Sequence, residues 1–352
     1  MTEQSAQTRK EPLPTRAGGG RPAALLNRPV LVTGADGFIG SHLVERLLAE
    51  GADVRALCVY NSNGSYGWLD ELDRDLSERL DLRLGDIRDG RFVHEIVEGV
   101  DIVFHLAALI AIPYSYQAPA SFVETNVTGT LNVLEAARAL GGVTVVNTST
   151  SEVYGTPSTV PIRESHPLRA QSPYAASKIA ADQLCEAYAR SFDLDVRTLR
   201  PFNTFGPRQS ARAIIPTILG QLLAGHSRVR LGSLTPRRDF TYVSDTVDGF
   251  VRMGLADLAP GTLVQLGTGE DISIGELFDV CCRVTGADAV PETQSIRVRP
   301  KASEVEILRS DPGNAQSVLG WRAETALMDG IKRTAAWLQP RTDPHRAVRY
   351  AR

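Results

Sequence analysis

Apolar, β-branched runs recur along the first two thirds of the chain, at 29–33, 53–59, 82–88, 101–108, 141–146 and 196–201. Most are apolar at successive positions rather than every second one, which predicts strands buried on both faces of a parallel sheet. Between them lie stretches of helical period, at 41–50, 119–140 and 172–190. Strand and helix in regular alternation predict an α/β fold, a doubly wound parallel sheet over 29–200. Beyond Arg208 the alternation weakens, which predicts a smaller C-terminal α/β lobe over 201–340. Residues 1–28, rich in Gly, Pro and scattered charge, read as a disordered leader, and 341–352 as a loose tail.

The first strand runs directly into Gly34-Ala35-Asp36-Gly37-Phe38-Ile39-Gly40. Strand, glycines and helix in this order make a Rossmann-type phosphate cradle. The first glycine permits a tight turn, the second lets the backbone approach a pyrophosphate, and the helix amino terminus meets its charge. The expected cofactor is NAD(P), held by Gly34, Gly37, Phe38, Ile39 and Gly40. At the end of the fourth strand, Leu106, Ala107 and Ala108 allow a close approach of backbone to cofactor. An acid at the end of the second strand favours NAD and an arginine NADP. Cys58 stands there instead, which leaves NAD versus NADP open and removes a repulsion against a 2′-phosphate. Asn61, in a polar turn, offers a hydrogen bond to either ribose.

Candidate chemistry lies at Thr150, Ser151 and Glu152, just past the fifth strand, and at Tyr174 and Lys178 in the next helix. Ser172 caps that helix and Pro173 opens it, and a spacing of four puts phenol and ammonium on one face. A free tyrosine has a pKa of about 10, and a neighbouring lysine cation favours the phenolate. Such a group can take the proton of a sugar hydroxyl while the carbon's hydride leaves for a nicotinamide.

Taken together, these segments resemble the extended short-chain dehydrogenase/reductase superfamily, in its NAD-dependent epimerase/dehydratase branch, over about 29–340. The spacing G-x-x-G-x-x-G is that branch's variant of the glycine loop. Asp86 and Ile87 resemble its adenine contact, and Asn126 opens a segment similar to its N-x-x-G-T cofactor contact. Residues 200–208 look like its nucleotide-sugar pattern R-P-F-N-x-[YF]-G-P-R. The resemblance implies substrate contacts at Asn203, Arg212, Arg238 and Arg299, where guanidinium forks suit a diphosphate. Arg208, Arg212 and Arg297 fit a substrate contact or a surface ion pair about equally well, and the family analogue of His105 is structural. A homodimer is implied through the helix over 119–140 and the Tyr174 helix. Val123, Val127, Leu131, Leu134 and Ala137 are as well read as ordinary core.

The choice among activities rests on Thr150-Ser151-Glu152. C4-epimerases of this family usually carry small or hydroxyl residues there, whereas a 4,6-dehydratase needs a base for the C5 proton, which Glu152 supplies. Thr-Ser-Glu resembles the GDP-mannose dehydratases. With S-T-S-E-V-Y-G and the Asn-Ser-x-Gly-Ser segment after the second strand, it also resembles dehydratases of legionaminic-acid-type pathways acting on nucleotide-linked N-acetylglucosamine. Ser151 stands where dTDP-glucose dehydratases typically have aspartate. The acid toward the C6 hydroxyl is then Glu152 itself or Ser151 acting through water. The implied activity is a 4,6-dehydratase acting on a UDP-, GDP- or dTDP-hexose, with a C4-epimerase as the alternative.

Composition narrows the partners. A net charge of −3 with 43% hydrophobic and 22% charged residues gives no reason to expect nucleic acid or a membrane surface. Four cysteines, Cys58, Cys185, Cys281 and Cys282, offer neither a disulfide framework nor a spaced metal site, and no metal is expected. They suit a reducing cytoplasm.

Overall fold

A computed structural model describes residues 24–343. Seven parallel strands form its main sheet: β1 (Pro29–Thr33), β2 (Asp53–Val59), β3 (Asp81–Gly85), β4 (Ile102–His105), β5 (Thr144–Thr148), β6 (Val196–Pro201) and β7 (Leu263–Leu266). Their order is β3-β2-β1-β4-β5-β6-β7. Successive residues of β1 feed opposite faces: Val30 and Val32 enter one core with Leu43, Leu47, Phe104 and Phe250, and Leu31 enters another with Val103, Val133 and Val145. Both faces are covered by helices, which explains why the strands read as unbroken apolar runs. Strand order reverses between β1 and β4, so the ligand crevice lies at their carboxyl ends.

Four helices frame that crevice: α1 (Phe38–Ala49), α2 (Gly129–Leu140), α3 (Pro173–Phe192) and α4 (Val243–Leu255). The helix α1 starts three residues before the predicted 41, because Gly37, in extended conformation, is its amino-terminal cap. The helix expected over 119–140 is interrupted. A turn at Pro119–Phe122 passes through a π-helical segment, Val123–Thr128, before α2 begins. Between β4 and this segment lies a single helical turn, Ile112–Ser115.

Three smaller sheets build the C-terminal lobe. Asn203–Phe205 pairs with Phe240–Tyr242, Arg237–Arg238 lies between Ile272–Ser273 and Ile307–Leu308, and Arg228–Leu231 pairs with Val290–Thr293. The division expected after residue 200 is not clean, because α4 packs against α1 and β7 returns to the main sheet beside β6. The reading of 24–28 as leader is also corrected, since Leu25 is fully buried in the core. Residues 1–23 and 344–352 lie outside the described residues. The start of the expected tail is anchored, with Arg341 stacked on Trp337 and paired with Glu71 at 2.9 Å. Of the apolar positions weighed for a dimer, Leu134 and Ala137 are spent in the chain's own core, while Val123 is half exposed. Among the described residues no helix is long and apolar enough to cross a membrane.

Candidate active site

The carboxyl end of β1 turns through Gly34 at φ +67°, where a β-carbon would come within 2.8 Å of the Ala107 backbone nitrogen. Glycine is therefore required at the point where the first loop meets the end of β4. A β-carbon on Gly40 would come within 2.1 Å of Gly34 O, so glycine is needed there for α1 to pack on the turn. Gly37 caps α1 without a side-chain hydrogen bond, and a β-carbon on it would meet only Gly34 O, at 3.2 Å. The helix thus presents free first-turn N–H groups across open space beside Phe38 and Ile39. This cradle fits a dinucleotide pyrophosphate.

Thr33 braces the floor of the crevice. Its hydroxyl accepts from Leu106 N–H and Ala107 N–H at 3.1 Å each and lies 2.9 Å from His105 Nδ1. The other ring nitrogen of His105 is 3.1 Å from Thr130 Oγ1. Burial, reinforced by Lys178, pushes the His105 pKa down to about 3, so the ring is neutral and serves as a cross-link. Asn126 sits in the π-helical segment and ties the far wall together. Its amide donates to Leu109 O and Ser177 Oγ at 2.9 Å each, and its oxygen accepts from Leu109 N–H at 2.8 Å. A π-turn at such a point is a common functional device.

Two side chains at the cofactor rim have partners within the chain. Asn61 spends both ends of its side chain within its own turn, accepting from Asn63 N–H at 3.1 Å and donating to Ser65 O at 2.7 Å. It shapes the loop rather than offering a free amide. Asp86 is paired with Arg88 at 2.6 Å, which with further hydrogen bonds holds its carboxyl below the usual range despite partial burial. Ile87 is buried against Gly129, and Ala108 stays partly exposed at the end of β4.

The reactive cluster forms where β5 ends. Thr150 caps the short turn Ser151–Tyr154, its hydroxyl accepting from Glu152 N–H at 3.2 Å. Ser172 caps α3 by accepting from Ala175 N–H at 3.1 Å, as the sequence predicts. Tyr174, 7% exposed, packs edge-on against Phe122 with ring centres 6.2 Å apart. Burial drives its pKa above the ordinary phenol range, Glu152 and Asp182 push the same way, and a hydrogen bond with Thr150 opposes them. The expectation that Lys178 lowers this pKa is not met: burial wins, and Lys178 itself is buried, with its pKa lowered by desolvation against the pull of Asp182. Glu152 is partly exposed and within electrostatic reach of both Tyr174 and Arg238, while Ser151 is buried at 3%.

A second cluster faces it from the C-terminal lobe. Arg238, 7% exposed, donates to Glu304 at 3.3 Å, and Arg299 lies 3.7 Å from the same oxygen. Burial lowers the Arg238 pKa and Arg299 lowers it further, while Glu152 and Glu304 oppose this. Among the described residues the Nη1 of Arg299 is buried with no hydrogen-bond partner. Two repelling guanidinium groups, one with an orphaned donor, fit an anionic ligand. Asn203 is half-buried beside them, its amide 3.5 Å from Asp239 O. Arg212 is exposed on the surface. Arg208 is instead claimed by Glu45 of α1, with contacts of 2.6 and 3.1 Å, so for it the ion pair wins.

Sequence reasoning missed a buried network beneath β5. Asp182, two turns past Tyr174 on the same face of α3, accepts from Ser149 Oγ at 2.7 Å and from Arg200 at 3.0 and 3.1 Å. Arg200 also donates to Tyr154 Oη at 3.1 Å, and Tyr154 donates to Gln265 on β7 at 3.1 Å. The signal was present as the spacing 174, 178, 182, which continues the reactive face of α3.

Fold, glycine cradle and Tyr/Lys helix define a dinucleotide-dependent sugar-nucleotide enzyme, and comparison with known proteins gives its family. Residues 31–334 match the family model described as GDP-mannose 4,6 dehydratase. Over 315 residues the chain is 36% identical to the UDP-glucose 4-epimerase of Mycolicibacterium smegmatis, covering 88% of this chain and 98% of that one. It is 34% identical to the dTDP-glucose 4,6-dehydratase of Streptomyces griseus, covering 88% and 93%. Among solved structures it is similar to a dTDP-glucose 4,6-dehydratase double mutant from Streptomyces venezuelae with NAD bound, at TM-score 0.78 and 33% identity over 88% of this chain and 96% of that one. The chain belongs to the NAD-dependent epimerase/dehydratase family of extended short-chain dehydrogenases. It is an NAD-dependent enzyme that modifies nucleotide sugars.

Proposed function

We propose that the protein is a nucleotide-sugar 4,6-dehydratase, converting an NDP-hexose to its 4-keto-6-deoxy form. The observation that carries this reading is Glu152: a carboxylate on a strand-end turn, partly exposed, acting on both the Tyr174 phenol and the Arg238 guanidinium. The glycine cradle, Asn126 and Lys178 would hold the dinucleotide, which when bound supplies a reversible hydride acceptor. Tyr174 takes the O4 proton, and Thr150, already hydrogen-bonded to the phenol, steadies that oxygen. With C4 a ketone, the C5 proton is acidic, and Glu152 removes it. Ser151 is buried under the turn, so Glu152 also returns a proton to the departing C6 hydroxyl, which leaves as water. Reprotonated from solvent, Glu152 then supplies the proton that completes C5, and C6 would take back the hydride that the dinucleotide, when bound, carries. Arg238 and Arg299 hold the diphosphate, and a UDP-, GDP- or dTDP-sugar satisfies that requirement equally. A homodimer through the half-exposed face of Val123, Val127 and Leu131 accompanies this reading.

A nucleotide-sugar 4-epimerase is the second reading, favoured by the 36% identity to such an enzyme. Purified protein incubated with UDP-, GDP- and dTDP-hexoses, including the N-acetylglucosamine and uronate forms, separates the two by the mass and the C4 configuration of the product. Loss of one water with no net cofactor consumption supports the dehydratase. A C4 epimer with C6 intact, or loss of carbon dioxide from a uronate, contradicts it.

A further inference from the structure

The turn that carries Glu152 buries every one of its other residues. Ser151, Val153 and Tyr154 face inward, and Glu152 alone is partly exposed. Thr150 caps the turn at one end, and near the other Arg169 N–H donates to Val153 O at 2.8 Å. Tyr154, fully buried, enters a small core shared with Val153, Phe202, Val305 and Leu308. Leu308 stands opposite Arg238 in the neighbouring strand, so this core also supports the arginine cluster. The Tyr154 hydroxyl accepts from Arg200 on β6 at 3.1 Å and donates to Gln265 on β7 at 3.1 Å. The Cζ of Arg200 also lies 5.1 Å from the centre of the Tyr154 ring. Burial pushes this phenol up to about 12, so the hydroxyl keeps its proton and both bonds at neutral pH. Arg200 in turn grips Asp182 of α3, the helix that carries Tyr174 and Lys178.

A buried tyrosine usually has a partner for its hydroxyl and is then no more than core. Tyr154 differs in standing two residues from the carboxylate, within one short turn, with partners that lead directly to the reactive helix. So short a turn has little length over which to absorb a shift, and a displaced ring moves Glu152 with it. We propose that Tyr154 is a positioning residue for Glu152, its hydroxyl fixing the turn relative to α3 so that the carboxylate reaches C5 of a sugar whose O4 faces Tyr174. Tyr174 is seated separately, by α3 and by its packing on Phe122, and Thr150 lies at the opposite end of the turn. Loss of the Tyr154 hydroxyl therefore acts on elimination and spares C4 oxidation. The proposal rests on the dehydratase reading and assigns the alignment of its second step to a residue that never meets the sugar.

The test compares two steps within one active site. Tyr154→Phe keeps the ring and removes only the hydroxyl. With the accepted NDP-hexose in deuterium oxide, absorbance of the reduced nicotinamide follows C4 oxidation, while water loss and deuterium at C5 follow elimination. Elimination should fall about ten- to a hundredfold, the cost of a misplaced reacting group, with C4 oxidation changed by less than about threefold. Reduced nicotinamide should accumulate in consequence. Gln265→Met removes the acceptor of the same hydroxyl from β7 and should shift the ratio in the same direction, which keeps the test open if Tyr154→Phe does not fold. Tyr188→Phe, further along α3, should leave both steps as in the wild type. Both steps falling in proportion, or a ratio unmoved in the folded variants while the wild type eliminates water, would overturn the proposal alone. A wild type that yields only the C4 epimer would remove the dehydratase reading and this proposal with it.

Discussion

Asp182 and Arg200 form an ion pair inside the protein, with side chains 4% and 5% exposed and two contacts of 3.0 and 3.1 Å. The pair bridges the reactive helix α3 to β6. Through Ser149 and Tyr154 it underlies the turn that carries Thr150 and Glu152. Removing one partner leaves a buried charge unpaired, so Asp182→Ala should cost about 3–5 kcal/mol in urea unfolding. Adding Arg200→Met should recover part of that loss, because the stranded guanidinium is gone. Two independent, additive losses would show that the pair is not the coupling element.

Arg299 and Arg208 make a contrasting pair of arginines. Arg299→Leu removes the orphaned donor and should weaken UDP, GDP or dTDP binding by roughly ten- to a hundredfold, the range of one charge-assisted hydrogen bond. Arg208→Leu breaks the contact with Glu45 and should lower stability while changing diphosphate affinity by less than about threefold. Calorimetric titration of both variants decides, and the reverse ranking would move the diphosphate site to the 206–212 loop.

Acid should destabilise the fold through two histidines. Burial, with Arg208 adding to it, pulls the His42 pKa down to about 4, and that of His105 falls to about 3. Both bind a proton near pH 6.5 when unfolded. Between these values the unfolded chain holds protons that the folded chain refuses. The stabilisation is therefore complete above pH 6.5 and is lost as pH falls toward 4 and below. Each contributes on the order of 3 kcal/mol. His42→Gln should flatten the stability profile between pH 6.5 and 4, and an unchanged slope would exclude His42 as a source.

Tyr174→Phe keeps the packing against Phe122 but removes the proton acceptor at O4. Turnover should fall by about 10²–10⁴ while NAD stays bound. Because burial and two carboxylates raise the phenol pKa, wild-type turnover should climb with pH through the neutral range. A profile flat from pH 6 to 9 would mean that Tyr174 does not carry the proton.

What was legible in the sequence was what is local. Gly34, Gly37 and Gly40 reveal their cradle because turn, close approach and helix start fall within seven residues, and Tyr174 and Lys178 share a face by spacing alone. Ser172 and Pro173 marked the start of α3 correctly for the same reason. Contacts between distant segments were hidden. Arg208 is claimed by Glu45 across 163 positions, and Asp182 meets Ser149 only once α3 packs against the end of β5. The pull of Lys178 on Tyr174 was overestimated because spacing carries no information on burial, which dominates both groups.

The most direct measurement of the central claim uses Glu152→Gln with the accepted NDP-hexose in deuterium oxide, followed by mass spectrometry and absorbance of the reduced nicotinamide. C4 oxidation should still proceed, while water loss and deuterium incorporation at C5, both present in the wild type, should disappear. Elimination continuing at near wild-type rate in the variant would contradict the assignment of position 152 as the base.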